Sequence, residues 1–341
     1  MIKEAIEKVV QHISLSEDEM AAVMDEIMSG NTTDAQIASF ITALRMKGET
    51  IDEITGAAKI MREKATKLKT RYDVIIDTCG TGGDRKGTFN VSTAAAFVVA
   101  AAGVKVAKHG NRSVSSKSGS ADVLEALGVN INMDSSKAEY LLDKIGMCFL
   151  FAPLYHKAAK YALGPRKEIG IRTIFNMLGP LTNPAGTRYQ LIGVYDAKLT
   201  EIFAHVLKRL GSVSACVVHG NDGTDEITMS DTSIVSELRN GTVQSYIFNP
   251  EKYGYKLSSL DSLKGADARH NASLLIDVLN GAKGPMRDIT EINSAFALYV
   301  AGVVNNIKDA IEMAKHIIDS GKALKKLNEF RTASAEVQSN E

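Results

Sequence analysis

The chain has 341 residues, of which 45% are hydrophobic and 23% are charged, and its 40 Lys and Arg residues balance its 40 Asp and Glu residues. This length predicts either two domains or one large α/β unit with a smaller companion. The balanced charge argues against a general nucleic-acid or membrane surface, which would need a basic stripe, and favours a small-molecule ligand.

Three capping-box signatures lie in the first seventy residues, each before apolar side chains at helical spacing: Ser16 with Glu19, Thr33 with Gln36, and Thr50 with Glu53. They predict a small helical bundle. After residue 71 the pattern changes to strand, loop and helix units. Short continuous apolar runs, typical of parallel strands buried on both faces, lie at residues 74–76, 104–107, 191–195 and 214–218.

The loop within residues 75–93 is the most informative part of the sequence. An apolar run ends in a cluster of glycines, and Asn90, Ser92 and Thr93 follow where residues 94–102 are predicted to form a helix. Glycines let backbone N–H groups approach an oxyanion closely, and the N-terminus of a helix favours negative charge. The pattern therefore predicts a phosphate or pyrophosphate site.

Neither of the two best-known phosphate motifs fits this loop. A P-loop would need Lys in place of Thr88, and a dinucleotide fingerprint would need Gly in place of Arg85. An ordinary glycine-rich turn between a strand and a helix remains the alternative interpretation when the loop is considered by itself.

A second polar loop, within residues 108–120, also lies between a predicted strand and a predicted helix, the latter at 121–127. Lys108, Arg112 and Lys117 supply cations, and five serines supply hydroxyl groups. A solvated surface loop could have this composition. Two such loops after successive strands favour a ligand site instead, because ligands bind at the carboxyl ends of strands in open parallel sheets.

A third apolar run, at 217–218, breaks into a turn that ends in the adjacent carboxylates Asp225 and Glu226. Carboxylate oxygens suit Mg²⁺, which proteins commonly hold by one or two carboxylates together with substrate phosphates. A surface turn with two acids is the alternative. Beside two candidate phosphate loops, the pair predicts a metal bridge to a diphosphate.

Seven segments in the same order resemble those of the anthranilate phosphoribosyltransferase family: residues 79–84, 90–93, 108–112, 118–122, 164–176, 178–184 and 222–226. The resemblance runs from about Leu15 to Gly321. It implies transfer of the 5-phosphoribosyl group from phosphoribosyl pyrophosphate to the amine of anthranilate, with release of pyrophosphate, in tryptophan biosynthesis.

The resemblance also implies a fold: a small N-terminal helical domain at 1–70, joined by part of 155–184, and a large α/β phosphoribosyl-transfer domain at 71–330. The larger domain would have a mostly parallel central sheet, as in nucleoside phosphorylases and phosphoribosyltransferases. It further implies a homodimer formed through the helical bundle. Residues 331–341 are polar without an apolar face, and we expect them to form a frayed tail.

Site residues follow from the resemblance position by position. Phosphoribosyl pyrophosphate would be bound by Gly80, Gly83, Asp84, Thr88, Asn90, Val91, Ser92, Thr93, Lys108, His109, Gly110, Asn111, Arg112, Ser113, Val114, Ser115, Ser116 and Ser120. Anthranilate would be bound by Gly80, Asn111 and Arg166, and Mg²⁺, expected at two ions per monomer, by Ser92, Asp225 and Glu226. Lys108, Asn111 and Arg166 would act in catalysis.

Breaking the ribose C1–O bond places negative charge on the leaving pyrophosphate, so stabilising that group is the main catalytic task. Because an aromatic amine is neutral at pH 7, no strong general base is needed, and His109 is expected to stabilise its loop or line the substrate site. The planar fork of Arg166 suits a carboxylate. Arg85 and Lys86 depart from the family, which commonly has Gly after Asp84; they either attract the anionic substrate or are ordinary surface charges.

Two other functional classes share this general architecture. A nucleoside phosphorylase would need a phosphate nucleophile site and a base pocket in place of Arg166 and the acidic pair. A nucleic-acid-binding relative would need a basic groove, which the balanced charge does not favour.

The cysteines and the apolar stretches indicate a cellular location. Cys79, Cys148 and Cys216 are widely spaced, form no Cys-x-x-Cys pair, and are odd in number, which argues for reduced core residues. The longest apolar stretch, 94–104, is too short to span a bilayer. We therefore expect a cytoplasmic protein.

Overall fold

A computed structural model describes residues 1–113 and 118–339 of the chain. Its first sixty-four residues form four helices, namely α1 (Ile2–Val10), α2 (Glu17–Met28), α3 (Asp34–Lys47) and α4 (Ile51–Lys64). All three predicted capping boxes are confirmed. In the first, the Glu19 N–H donates to Ser16 Oγ at 3.2 Å and the Ser16 N–H donates to a Glu19 carboxylate oxygen at 2.9 Å.

A seven-stranded sheet forms the centre of the larger unit. Its strands are β1 (Ile75–Gly80), β2 (Lys105–Gly110), β3 (Met147–Phe151), β4 (Tyr189–Gly193), β5 (Ser214–Gly220), β6 (Ser233–Arg239) and β7 (Thr242–Phe248). The order is β3-β2-β1-β4-β5-β6-β7, with β1 to β5 parallel and β6 and β7 antiparallel to their neighbours. The four predicted strands are present, and the predicted fold class is confirmed.

Eleven further helices are described: α5 (Val91–Ala101), α6 (Ser120–Ala126), α7 (Ser135–Ile145), α8 (Ala152–Tyr155), α9 (Leu163–Ile169), α10 (Phe175–Leu181), α11 (Leu199–Arg209), α12 (Ala268–Leu279), α13 (Pro285–Val300), α14 (Ile307–Asp319) and α15 (Lys322–Ser339). Short 3-10 helices lie at Lys157–Ala162, Pro250–Tyr253 and Leu260–Leu263. None of the described helices is both long and apolar enough to cross a bilayer.

The alternation of side chains along β5 divides the core between the two faces of the sheet. Cys216 and Val218 pack in a cluster with α5, α13, α14 and α15, whereas Ala215 and Val217 pack in a cluster with α11 and the N-terminal helices. Successive side chains of a strand point to opposite faces, so a buried strand contributes to both clusters. All three cysteines are buried and free, as predicted.

Residues 157–181 lie against the N-terminal helices. Arg62 on α4 donates from Nε to the carbonyl oxygen of Leu181, the last residue of α10, at 2.6 Å. The ring of Tyr161 lies 2.7 Å from the point that a Cβ on Gly30 would occupy, so the close approach requires glycine there. The middle of the chain therefore contacts both parts of the molecule.

The predicted polar tail is wrong as far as residue 339, because α15 continues through Ser339. Ala333, Ser334 and Val337 are buried on the same helix face as Leu327 and Phe330. Small side chains occupy two of these positions, so the composition of the segment hides a helical stripe that follows the usual spacing of three or four residues.

Candidate active site

The candidate site lies where the direction of strand addition reverses. Strand β1 pairs with β2 on one side and with β4 on the other, and Gly80 at the end of β1 lies opposite Gly193 at the end of β4. In open parallel sheets such a reversal leaves a crevice at the carboxyl ends of the strands. The loops after β1, β2, β4 and β5 all begin at this edge.

The glycine-rich loop after β1 is bound to the end of β4 and to the acidic loop after β5. The Thr81 N–H donates to the carbonyl of Gly193 at 2.9 Å, and the Gly82 N–H donates to Oδ2 of Asp225 at 2.9 Å. Gly82 and Gly83 have φ angles of 61° and 79°, which favour glycine. Within the described residues, the N–H groups of Gly83 and Asp84 have no hydrogen-bond partner, and such a turn suits an anion.

The loop returns to the start of α5. Thr88 forms an isolated antiparallel bridge with Lys264. Asn90 is the N-cap, and its side chain donates to the carbonyl of Ser118 at 3.3 Å and accepts from Nδ2 of Asn271 at 3.0 Å. Val91 and Thr93 are buried, and Ser92 of the same turn accepts a hydrogen bond from Lys108.

Lys108 on β2 is a buried cation beside the first turn of α5. Its ammonium group donates to the carbonyl of Thr78 and to Oγ of Ser92, the latter at 3.3 Å. Burial lowers the pKa of Lys108, and the negative charges of Asp77 and Glu226 act in the opposite direction. Lys108 therefore lies beside the first turn of α5, and it binds the hydroxyl group of Ser92, which the resemblance assigns to the metal.

Three carboxylates gather where the loops after β1 and β5 meet. Burial and the charge of Asp84 raise the pKa of Asp225, and burial and the charge of Asp225 raise the pKa of Glu226. Oδ2 of Asp84 is buried without a hydrogen-bond partner. Such an excess of negative charge suits a divalent cation. No group of three His, Cys, Asp or Glu side chains in the described residues is already arranged around a metal, so phosphate oxygens would have to complete the coordination.

Two glycines allow this close packing of loops. A Cβ on Gly80 would lie 2.9 Å from Oδ2 of Asp225, and a Cβ on Gly193 would lie 1.5 Å from the carbonyl oxygen of Asp225. The backbone of Gly80 thus lies beside the acidic loop. Gly193 was not predicted, because its strand end carries no polar side chain.

Asp222, which precedes the acidic pair, stabilises the turn through hydrogen bonds. It accepts hydrogen bonds from the hydroxyl groups of Thr224 at 2.7 Å, Thr228 at 2.5 Å, and Ser230. A carboxylate with three hydroxyl donors fixes the loop, which leaves Asp225 and Glu226 to face the glycine-rich loop.

The loop after β2 is described only in part, because Val114, Ser115 and Ser116 lie outside the described residues. Arg112 is held by Glu125 through two hydrogen bonds of 2.5 and 2.8 Å, and by Asp122 at 2.9 Å. These ion pairs raise the pKa of Arg112. Its charge is thus already matched by two carboxylates.

The other predicted residues of this loop pack against the start of α6. The Ser113 N–H donates to Oδ2 of Asp122 at 3.1 Å, and Ser120 Oγ donates to the carbonyl of Asn111 at 3.3 Å. A Cβ on Gly110 would lie 2.2 Å from Ser120 Oγ, so glycine is required at the end of β2.

Arg166 on α9 is half-buried with its guanidinium 5.1 Å from the centre of the Phe175 ring. Burial lowers its pKa. In the part of the chain that the structure describes, it forms no ion pair with a carboxylate. An unmatched guanidinium stacked on an aromatic ring can receive an external carboxylate.

His109 is buried and neutral. Its Nδ1 lies 3.1 Å from the carbonyl oxygen of Gly179, and its ring centre lies 5.1 Å from that of His156. Burial lowers the pKa of His109 to about 3 and that of His156 to about 4. A ring with so low a pKa is too weak a base to accept a proton near pH 7.

Sequence reasoning did not identify several residues that shape the site. Arg172, from the segment after α9, donates to the carbonyl of Gly83, and Asn271 on α12 binds Asn90. Asp77 accepts from Nδ2 of Asn183 at 2.8 Å and from the His109 N–H at 3.1 Å. Arg172 and Asn183 lie within or beside the recognised segments 164–176 and 178–184, but no local pattern indicates their partners.

Family models match nearly the whole chain. Residues 72–324 match the α/β domain of a glycosyl transferase family, and residues 3–65 match the helical bundle domain of such a family. An anthranilate phosphoribosyltransferase of Acetivibrio thermocellus is 57% identical over 97% of this chain and 96% of its own length. One from Pelotomaculum thermopropionicum is 54% identical over the same shares.

Solved structures of anthranilate phosphoribosyltransferases are also similar to this chain over nearly its whole length. The anthranilate phosphoribosyltransferase of Thermus thermophilus has a TM-score of 0.91 and 38% identity, covering 97% of this chain and 99% of its own. The Saccharomyces cerevisiae enzyme in complex with PRPP and Mg has a TM-score of 0.89 and 28% identity, covering 98% of both chains. From these full-length matches and the loops described above, the chain belongs to the anthranilate phosphoribosyltransferase family.

Proposed function

We propose that this chain transfers the 5-phosphoribosyl group from phosphoribosyl pyrophosphate to the amine of anthranilate, giving N-(5-phosphoribosyl)anthranilate and pyrophosphate in tryptophan biosynthesis. The observation that carries the proposal is the junction of the glycine-rich loop with the acidic loop, where the Gly82 N–H donates to Asp225 at 2.9 Å. Full-length identity to the relatives above supports the same reaction.

Pyrophosphate is the group that the site is best suited to stabilise. The free N–H groups of Gly83 and Asp84, the N-terminus of α5 and the ammonium of Lys108 place positive potential at one edge of the sheet. Negative charge that develops on the departing pyrophosphate is stabilised there without rearrangement of the protein. Asn90, Thr88 and Ser120 hold the shape of the two loops.

Asp225 and Glu226, with Ser92, would hold Mg²⁺, at two ions per monomer. The bound cation would neutralise charge on the diphosphate. The raised pKa values of both carboxyl groups and the unpartnered Oδ2 of Asp84 support a cation here. The complex of the yeast relative with PRPP and Mg supports the use of Mg²⁺ by this chain.

Arg166 would bind the anthranilate carboxylate, with Asn111 and Gly80 beside the acceptor. A bidentate guanidinium fixes the plane of the ring and so directs the ortho amine toward C1 of the ribose. The amine attacks as a neutral nucleophile, and the site needs no strong base, which agrees with the low pKa of His109. We also place the protein in the cytoplasm and expect a homodimer through the helical bundle.

The loss of anthranilate fluorescence on addition of phosphoribosyl pyrophosphate and Mg²⁺ tests the reaction. Turnover should stop on chelation and return with Mg²⁺. The double change Asp225→Asn/Glu226→Gln should lower kcat/KM by about a hundredfold or more. Asp231→Asn, which removes an exposed charge near the same loop, is the control and should leave the rate unchanged. Full turnover without divalent ions would overturn the metal assignment, and no turnover under any condition would overturn the reaction.

A further inference from the structure

The side chain of Arg172 joins two segments of the candidate site. Arg172 follows α9, the helix that carries Arg166, and its Nη2 donates to the carbonyl of Gly83 in the glycine-rich loop. Nη2 also lies 3.3 Å from the point that a Cβ on Gly83 would occupy. No carboxylate lies within ion-pair distance of this half-buried guanidinium in residues 1–113 and 118–339.

Tyr195 holds Arg172 from the other side. The guanidinium carbon lies 4.4 Å from the centre of the Tyr195 ring, a distance at which a cation is attracted to an aromatic face. The Tyr195 N–H donates to Oγ1 of Thr81 at 3.1 Å, so the residue beneath Arg172 is itself bound to the glycine-rich loop. The guanidinium is therefore fixed between a rigid ring and a single carbonyl oxygen.

A fixed Gly83 carbonyl determines the direction of the next N–H. The chain contains no cis peptide among its described residues, and in a trans peptide the C=O and the following N–H point in opposite directions. Because the Gly83 carbonyl points at Arg172, the Asp84 N–H points away from it. In residues 1–113 and 118–339 that N–H has no hydrogen-bond partner, so its direction decides whether it can bind an anion.

We propose that Arg172 is a positioning residue for the phosphate loop: by holding the Gly83 carbonyl, it keeps the Asp84 N–H directed at the pyrophosphate. This inference rests on the proposed function, because the pyrophosphate that the Asp84 N–H would bind belongs to the proposed substrate. With a φ of 79°, Gly83 adopts a backbone conformation open mainly to glycine, and the hydrogen bond from Arg172 restrains the orientation of the peptide that follows it.

The position of Arg172 separates its expected effects from those of a residue that binds anthranilate. Arg172→Gln leaves Arg166 and the acidic loop in place and frees one peptide of the phosphate loop. KM for phosphoribosyl pyrophosphate should therefore rise about tenfold, while KM for anthranilate changes less than about twofold. Arg172→Lys, which keeps a donor and a charge but loses the planar fork, should recover part of the loss.

Arg188 provides a matched control. It is also an arginine that donates to the carbonyl of a glycine with positive φ, from Nε to Gly211 at 3.0 Å, but Arg188 precedes β4 and Gly211 lies in the turn before β5. Arg188→Gln should leave both KM values unchanged. Tyr195→Leu, which keeps Arg172 and removes the ring beneath it, should raise KM for phosphoribosyl pyrophosphate in the same direction by a smaller factor, and it serves if the Arg172 variants fail to fold.

Two measurements on the parent and the four variants test the proposal. They are steady-state kinetics and calorimetric binding of phosphoribosyl pyrophosphate in the presence of Mg²⁺. Selective loss of phosphoribosyl pyrophosphate affinity in Arg172→Gln and Tyr195→Leu supports the proposal. Unchanged affinity in both, or a rise confined to KM for anthranilate, overturns it. If the parent itself turns over no anthranilate, the proposed function fails, and the calorimetric comparison still tests the loop.

Discussion

At the scale of single residues, Arg166 is defined by the absence of a charged partner. Its guanidinium is half-buried over Phe175, and in the described residues no carboxylate pairs with it. Arg166→Ala should lower kcat/KM for anthranilate by about 2–5 kcal/mol in transition-state free energy, because the substrate carboxylate loses its bidentate partner. A change of Lys167, the exposed neighbour of Arg166 on α9, is the control. A collapse of phosphoribosyl pyrophosphate affinity with a steady KM for anthranilate would assign Arg166 to the phosphate site.

The two cations that depart from the family pattern have different surroundings. Arg85 is exposed with a φ of 61°, whereas Nζ of half-buried Lys86 lies 2.9 Å from the point that a Cβ on Gly223 would occupy, on the loop that carries Asp225. Lys86→Met should slow association of phosphoribosyl pyrophosphate at low salt, and the difference should shrink as salt rises, because exposed charges act over about 10 Å at 0.1 M.

Arg85→Gln is the matched change, since it removes an exposed charge one residue away that forms no ion pair in the described residues. Stopped-flow association rates at several ionic strengths compare the two. If both variants gave salt curves parallel to that of the parent, Lys86 would be an ordinary surface charge.

At the scale of elements, the C-terminal half of α15 is expected to contribute to stability. Ala333, Ser334 and Val337 are buried, and Ser334 Oγ accepts from the Asn130 N–H at 3.2 Å. Deleting residues 332–341 should lower the free energy of unfolding by about 2–4 kcal/mol through lost burial and an unpaired N–H. Deleting only 338–341 is the control and should change little. Denaturant unfolding measures both, and equal stability of the two truncations would show that α15 ends earlier in solution.

The elements that could be predicted from sequence are those whose signals are local. A capping box fixes a helix start within four residues, as at Ser16, and a run of apolar residues ending in glycine marks β1. Strands β6 and β7 also have a local signal, since Asn240 and Gly241 both have positive φ in the turn that joins them. An Asn-Gly pair between two strands predicts such a hairpin, so β6 and β7 could also have been predicted from the sequence.

Other elements depend on contacts between distant parts of the chain. Strand β3 is a short apolar run that periodicity cannot distinguish from a buried helix, and it is identified by pairing with β2. The sequence at the end of α15 shows no apolar stripe because the side chains of Ala333 and Ser334 are small. Only packing against the rest of the core shows that they are buried.

At the scale of the whole molecule, the site brings together residues that lie far apart in sequence. Glycine-rich, basic and acidic loops could each be recognised in the sequence because each follows a strand. The contacts between these segments could not be recognised in the sequence. Arg172 donates to Gly83, and Asn271 donates to Asn90, which lies 181 positions earlier in the chain. Such pairs depend on the order of strands in the sheet, which places the ends of β1 and β4 side by side.

The buried histidine pair makes the stability of the whole fold depend on pH. His109 lies on β2 and His156 follows α8, and burial lowers their pKa values to about 3 and about 4. In the unfolded chain a histidine has a pKa of about 6.5, so between that pH and the folded values the unfolded state binds more protons. The pair therefore makes no pH-dependent contribution to stability above about pH 6.5, and stability is lost as pH falls below it, by about 1.4 kcal/mol per pH unit for each histidine.

The double change His109→Gln/His156→Gln should flatten the dependence of unfolding free energy on pH between about 6.5 and 4 relative to the parent. Lys108 and Lys67, whose charges also lower these pKa values, remain in both proteins, so the difference between the curves isolates the imidazoles. His316→Gln, at an exposed position on α14, should give a curve parallel to that of the parent. Denaturant unfolding at half-unit steps of pH makes the comparison. Parallel curves for the double variant and the parent would mean that the two rings already take up protons in the folded protein, and hence that they reach solvent.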